Sequence, residues 1–411
     1  MSPAKPENFQ PERAQPEDTG KPGWKEAVKG FFFERLGLDG VAALAAHKRV
    51  PIHSRSLFYF LGGMALFLFG IQVVTGILLS LYYKPSPDQA FESVRAIVTE
   101  VDFGWLFRSI HSWSANLLIG VLFLHILTTY IMRAYRRPRE FTWLTGMALL
   151  GVFMTFGFSG YLLPWNQLAF FATKVGTAIA NSVPVVGKYL LLMARGGEEV
   201  TGDTLARFYA LHVVILPLSV LALVGGHLFL VQKHEMSVPE DMIKKYGSAK
   251  KAPSMPFVPH FLLRDMVGWY LALGVLAALA ALFPWELGQK ADPFSSAPPG
   301  IKPEWYFLFM FQALKHLPGQ LFGIEWLEGE VVGVLFFGLL GLMVLLVPFL
   351  DRGAATGRPR RVLNFFAVLT VVFFLYMTAW GVLEKPAQEQ PAKTPQTTAD
   401  SPEGPPVKGT P

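Results

Sequence analysis

Seven apolar runs dominate this sequence, at about 58–83, 111–133, 142–163, 207–231, 262–283, 331–350 and 362–383. Each is close to the ~20 residues an α-helix needs to cross a bilayer. The sequence therefore predicts an all-α membrane protein with seven transmembrane helices. Charge agrees: Asp, Glu, Lys and Arg make up 16% of the 411 residues, where soluble chains carry about 25%.

Loop composition sets a direction. RAYRRPRE (133–140), QKHEMSVPEDMIKKYGSAKK (232–251) and DRGAATGRPRR (351–361) follow the second, fourth and sixth runs, and all are rich in Lys and Arg. The positive-inside rule places these loops and the N-terminus in the cytoplasm and the C-terminus outside. The net charge of +6 is thereby read as a topology signal, and no nucleic-acid partner is expected. No apolar stretch opens the chain, so no cleavable signal peptide is expected. With no cysteine, the chain has no thiolate for an iron–sulfur cluster and no CxxCH site for a covalent haem, so any such cofactor belongs to a partner.

The expected organisation is a disordered N-terminus (1–23), an interfacial amphipathic helix (24–50) and a four-helix bundle (51–231). A cytoplasmic linker (232–261), a three-helix C-terminal module (262–385) and a disordered tail (386–411) follow.

Within the bundle, His111 and His125 stand fourteen residues apart in the second run, about four helical turns and roughly 21 Å along one face. His212 and His227 stand fifteen apart in the fourth. The additional residue turns the second imidazole by 100°, from about −40° to +60° of the first, still on one broad face. Both runs pass from outside to inside, so His111 is level with His212 and His125 with His227. A lone histidine in such a helix is usually a satisfied polar residue. Four in matched pairs point to ligation, because each is otherwise an expensive intramembrane group. One pair per level suits bis-histidine haem, which leaves no open iron site and so implies electron transfer. Zinc or copper would want three or four clustered donors. Two non-covalent b-type haems are the expected cofactors.

Glycines repeat the same step: Gly62 and Gly76 in the first run, Gly146 and Gly160 in the third, each pair fourteen apart. A residue without a side chain lets a porphyrin edge lie against the backbone. The plainer reading is helix–helix contact through small residues. Arg108 and Arg207 precede the outer histidines by three and five residues. Each could face haem propionates or simply snorkel to the interface.

RSIHSWSA, GYLLPWNQ, ARFYALHVVILP and above all PEWYF at 303–307 resemble, in this order and spacing, the cytochrome b family of quinol–cytochrome c and quinol–plastocyanin oxidoreductases. The resemblance covers about residues 50–385. It implies a low-potential outer haem on His111 and His212, and a high-potential inner haem on His125 and His227. It further implies a quinol-oxidising site outside and a quinone-reducing site inside. The partners it implies are a Rieske iron–sulfur protein, a c-type cytochrome or soluble carrier, membrane lipid and quinone, and a second copy in a homodimeric complex. A prokaryotic-type inner membrane is the expected location. Glu304 becomes the candidate proton acceptor, since a carboxylate in an apolar loop can cycle between base and neutral acid. Tyr306, Tyr161 and Trp165 would shape its pocket. Asp265, and more weakly Lys233 and His234, become candidate proton donors inside.

The sequence also departs from the family. The fifteen-residue step and the seven runs resemble the chloroplast-type members, with the two halves here joined in one chain. FYFLGG carries Phe60 where those members have the cysteine that links a third haem. Thr128 stands where an arginine often follows the inner histidine. Two rival readings remain at this point: a di-haem cytochrome b anchoring a dehydrogenase or hydrogenase, and a transporter with histidines along its pathway. The second predicts broken helices and repeats, and neither is visible in the sequence.

Overall fold

The structure is a computed structural model that describes residues 23–36, 48–320, 328–351 and 360–384. The expected tail at 386–411 and most of the expected disordered N-terminus lie outside these residues, as does 37–47 of the expected interfacial segment. What is described of that segment is a helix, α1 (Trp24–Leu36).

Four long helices form the bundle: α2 (Phe60–Ser80), α4 (Gly104–Ile131), α5 (Glu140–Leu162) and α8 (Gly202–His234). Between them, at the end of the bundle nearer His111 and His212, lie α3 (Ala90–Thr99), α6 (Gln167–Asn181) and α7 (Gly187–Arg195). α2 packs along α4 and α5 along α8. Their shared core is Ala65, Leu68, Leu118, Leu122, Leu149, Phe153 and Val220. Each of these stands, in its own helix, between the two histidine or glycine positions, so dry apolar packing fills the middle of the bundle and separates two polar levels.

The rest of the chain wraps this bundle. α9 (Glu240–Tyr246) lies in the linker, and α10 (Leu262–Leu282) packs on α4 and α2. The short α11 (Trp305–Lys315) packs on α14 (Arg361–Leu383). Six helices of the described chain are long and apolar enough to span a membrane. The sixth expected run is the exception, because it is broken into α12 (Gly329–Leu345) and α13 (Val347–Leu350). Pro348 has no N–H to return to Val344, and the chain turns at Leu346 before resuming. One small sheet also departs from the all-helical expectation: β1 (Arg49–Pro51) pairs antiparallel with β2 (Ser254–Pro256) and pins the linker to the start of the bundle.

Two local devices aim the bundle. Gly104 opens α4 where a Cβ would fall 1.9 Å from the Ile97 carbonyl oxygen, so only glycine lets α4 leave α3 at this angle. In α8 the helix widens to a π-turn over Leu211–Ile215. Pro217 cannot donate to the Val213 carbonyl, and a wider turn is a common response to such a gap.

A buried ionic clasp closes the end of the bundle nearer His125 and His227. Arg133 binds Asp351 (3.0 Å) and Glu240 (3.1 Å), Arg136 binds Glu240 (3.0 Å), and the Tyr135 hydroxyl donates to Asp351 (2.8 Å). It ties α4, α9 and the end of α13 together, joining the bundle to both the linker and the C-terminal module.

Candidate functional site

All four histidines face the glycines read from the sequence. A Cβ on Gly76 would meet the His111 ring at 3.3 Å, on Gly62 the His125 ring at 3.4 Å, on Gly146 the His227 ring at 3.3 Å and on Gly160 the His212 ring at 2.6 Å. The glycines thus make room for imidazoles, one glycine to each ring. At the outer level the His111 and His212 ring centroids are 6.5 Å apart, which leaves room for one ion at about 2 Å from a nitrogen of each ring. His125 and His227 likewise lie close enough to interact electrostatically. The fifteenth residue between His212 and His227 is taken up by the π-turn, which holds one residue more than an α-turn. Both rings therefore return to the same face of α8.

Sequence reading missed the hydroxyls behind the rings. Thr75 lies 2.9 Å from His111 Nδ1, Thr145 lies 3.0 Å from His227 Nδ1, and Ser159 lies 3.1 Å from His212 Nδ1. The signal was present, since each hydroxyl residue immediately precedes one of the ladder glycines. Among the described residues no cluster of three or more His, Cys, Asp or Glu side chains forms elsewhere that could hold a metal. The arrangement fits planar bis-imidazole ligation at two levels, and the residues present fit haem.

At the end of the bundle nearer His111 and His212, α5, α6 and α11 border a cavity of about 280 Å³. Tyr161, Phe158, Gly176, Glu304 and Phe307 are among its walls. Glu304 is the residue from which α11 starts, so its carboxylate stands at a helix N-terminus, while burial pushes its pKa up to about 6. Tyr306 is 3% exposed and lies over Gly157, where a Cβ would come 2.6 Å from its hydroxyl oxygen. Burial, and then Glu304 and Tyr161, raise the Tyr306 pKa, so it stays a neutral phenol. Trp305 donates to Asn116 Oδ1 (2.9 Å) and fixes α11 to α4. Glu304 and Tyr161 line the cavity, and Tyr306 stands beside it within electrostatic reach of both without being one of its walls. Trp165 does not line the cavity and packs instead in the neighbouring core with Leu162 and Phe170.

The inner candidates are less tightly gathered. Asp265 is 5% exposed and touches the backbone at Gly63, beside the Gly62 that faces His125. One of its oxygens is buried without a partner among the described residues. His234 accepts from Arg139 through its carbonyl (2.8 Å). Lys233 lies with it in the last turn of α8. The Thr128 hydroxyl donates to the His125 carbonyl (3.0 Å). The two arginines stand at the outer level but engage carbonyls. Arg108 donates to those of Trp285 and Glu286, the latter at 3.1 Å, and Arg207 to that of Met193 at 2.9 Å.

Comparison with known proteins gives a consistent result. Residues 47–235 match the family described as cytochrome b/b6/petB, and residues 290–398 match cytochrome b(C-terminal)/b6/petD. A cytochrome bc complex cytochrome b subunit of Chlorobaculum thiosulfatiphilum is 44% identical over 360 residues, covering 86% of this chain and 80% of that relative. The cytochrome b6 of Heliobacterium mobile is 45% identical over 207 residues, covering 50% of this chain and 97% of its own. A solved chain from a structure titled "Hyperthermophilic respiratory Complex III" superposes with a TM-score of 0.74 at 32% identity, covering 86% of this chain and 91% of that one.

Proposed function

The chain belongs to the cytochrome b family, and from that premise we propose that it oxidises quinol at the outer side and feeds a quinone site at the inner side of a prokaryotic plasma membrane. Membership makes it a multi-pass membrane electron-transfer subunit of a quinol-oxidising complex, with b-type haem and with Rieske and cytochrome partners. The observation that carries the finer reading is the outer cavity, where Glu304 and Tyr161 line an apolar space beside the outer histidine level.

His111 with His212, and His125 with His227, would hold the two haems, which when bound supply a one-electron path between the outer and inner levels. Quinol must lose two protons and two electrons. Glu304 is placed to take a proton, because its buried carboxylate titrates near neutral pH and so can both accept and release. Tyr161 in the cavity wall orients a ring hydroxyl, and Tyr306 beside it stays a neutral phenol that does not compete for that proton. The apolar remainder of the cavity keeps water from the half-oxidised substrate. One electron would leave to the iron–sulfur partner, since this chain has no cysteine to hold such a centre, and the other would enter the path between the two histidine levels. On the inner side Asp265 supplies a proton to reduced quinone. The N-terminus faces the cytoplasm, and the complex is a dimer of such units. A di-haem anchor of a dehydrogenase or hydrogenase would share the histidines but has no use for the Glu304 cavity.

The test is Glu304→Gln in the purified complex. Quinol oxidation is expected to slow while a reduced-minus-oxidised spectrum still shows two b haems. Unchanged steady-state turnover would remove Glu304 from the mechanism, and a spectrum without b haem would remove the ligation scheme.

A further inference from the structure

Three of the four rings have a hydroxyl partner, and the three partners share one construction. The Thr75 hydroxyl donates its own proton to the Ile71 carbonyl (2.7 Å), that of Thr145 to the Phe141 carbonyl (2.9 Å), and that of Ser159 to the Phe156 carbonyl (3.3 Å). An oxygen whose proton is already committed can only accept from the imidazole. With the hydroxyl proton so directed, Nδ1 carries the hydrogen in His111, His227 and His212. In the last two a backbone carbonyl, of Thr142 and Phe156 respectively, also accepts from the ring. This leaves the Nε2 lone pair as the one available to iron. The fourth position breaks the pattern. The residue before Gly62 is Leu61, and His125 Nδ1 is buried with no hydrogen-bond partner among the described residues. The outer level thus has two hydroxyl-supported ligands and the inner level one.

We propose that this unequal support, two hydroxyl acceptors at the outer pair and one at the inner pair, helps to set the potential difference that draws electrons inward. The inference rests on the ligation scheme above. An imidazole that donates its N–H to an oxygen is a stronger donor through its other nitrogen. Stronger donation favours oxidised iron, so the outer centre holds its electron less tightly and the inner centre more tightly. Thr75, Thr145 and Ser159 act as positioning residues, since each works through a ligand. Without such a bond, packing alone fixes the plane of the His125 ring.

Potentiometric titration of the two b signals, with the low-spin EPR signal as a second readout, tests this in the intact complex. Thr75→Val keeps the side chain's shape and removes the acceptor. It should raise the outer midpoint and leave the inner one in place. The expected size is about fivefold in the electron-sharing equilibrium, ~40 mV for a one-electron couple. Leu61→Thr should lower the inner midpoint by a similar amount and narrow the EPR line of the inner centre. Two haems retained with neither midpoint moved would overturn the inference while leaving the ligation scheme intact. If Thr75→Val loses the outer haem, Thr75→Ser decides: wild-type binding and potential support the hydroxyl's role, and loss in both variants refutes it. Absence of two b haems from the unmutated complex would instead sink the ligation scheme.

Discussion

Gly160→Ala is the sharpest test of the histidine–glycine ladder, because the four rungs are not equally tight. A Cβ at Gly160 would stand 2.6 Å from His212 Cε1 and 3.1 Å from Nδ1. Carbon atoms prefer about 3.5–4.0 Å, so the ring must retreat by about 1 Å. That retreat stretches the 3.1 Å contact to Ser159, worth about 1 kcal/mol, and adds an overpacking cost of about 1–3 kcal/mol. A total of roughly 2–4 kcal/mol weakens haem retention at the outer level by about 30- to 700-fold at 1.4 kcal/mol per factor of ten. Gly62→Ala meets its ring only at 3.4 Å, ordinary contact, and should cost little. Gly76→Ala and Gly146→Ala, at 3.3 Å each, should fall between. The assay is haem per protein by reduced-minus-oxidised spectroscopy on matched preparations. Full outer haem in Gly160→Ala, or an inner loss in Gly62→Ala that exceeds it, would refute the close-approach reasoning.

Three further outcomes follow from the same structure. His125→Leu should abolish the inner haem signal and spare the outer one, and two full haems per chain would disprove the pairing. Quinol oxidation should rise with pH as Glu304, whose pKa burial raises to about 6, loses its proton and becomes a base, and should level off above about pH 7. Glu304→Gln should flatten that limb, and an unchanged profile would exclude Glu304 as its source. Asp351→Ala deprives Arg133 and Tyr135 of a shared partner whose side chain is 1% exposed. Breaking such a pair costs about 3–5 kcal/mol, so thermal melting of the complex should drop by several degrees. An unaltered melting curve would show that the clasp does not hold the halves together.

Much of the site was legible in the sequence because membranes penalise polar residues heavily. Four intramembrane histidines in two pairs needed a reason to be there, while the glycines at the same step, expected against a porphyrin edge, stand against the imidazole rings themselves. PEWYF pointed to the cavity by its resemblance to the cytochrome b family, since a lone carboxylate in an apolar loop is by itself more often a capped or solvated one. What stayed hidden was of two kinds. Some contacts join residues too distant in the chain to read, as when Arg108 reaches the carbonyls of Trp285 and Glu286 or Arg133 meets Asp351. Others were local but looked ordinary. A Thr or Ser before a helical glycine has many uses, and only the facing ring shows which one applies to Thr75, Thr145 and Ser159. The sixth run belongs to this second kind: Pro348 announces a break, yet its apolar neighbours disguise it as a single span.

The fifteen-residue step between His212 and His227 shows how spacing and shape compensate. Counted on a straight helix, it puts the second ring 60° past the first, whereas the fourteen-residue step of α4 leaves it 40° short. Two helices so mismatched would present their ligand pairs at different angles to the bundle axis. The π-turn at Leu211–Ile215 removes the mismatch by placing one more residue in a single turn, and Pro217 supplies its cause within the same stretch, ARFYALHVVILP. The extra residue and the proline are therefore one feature. Each alone would disturb the register of α8, and together they restore it, so that a helix with a longer step faces its partner as α4 does.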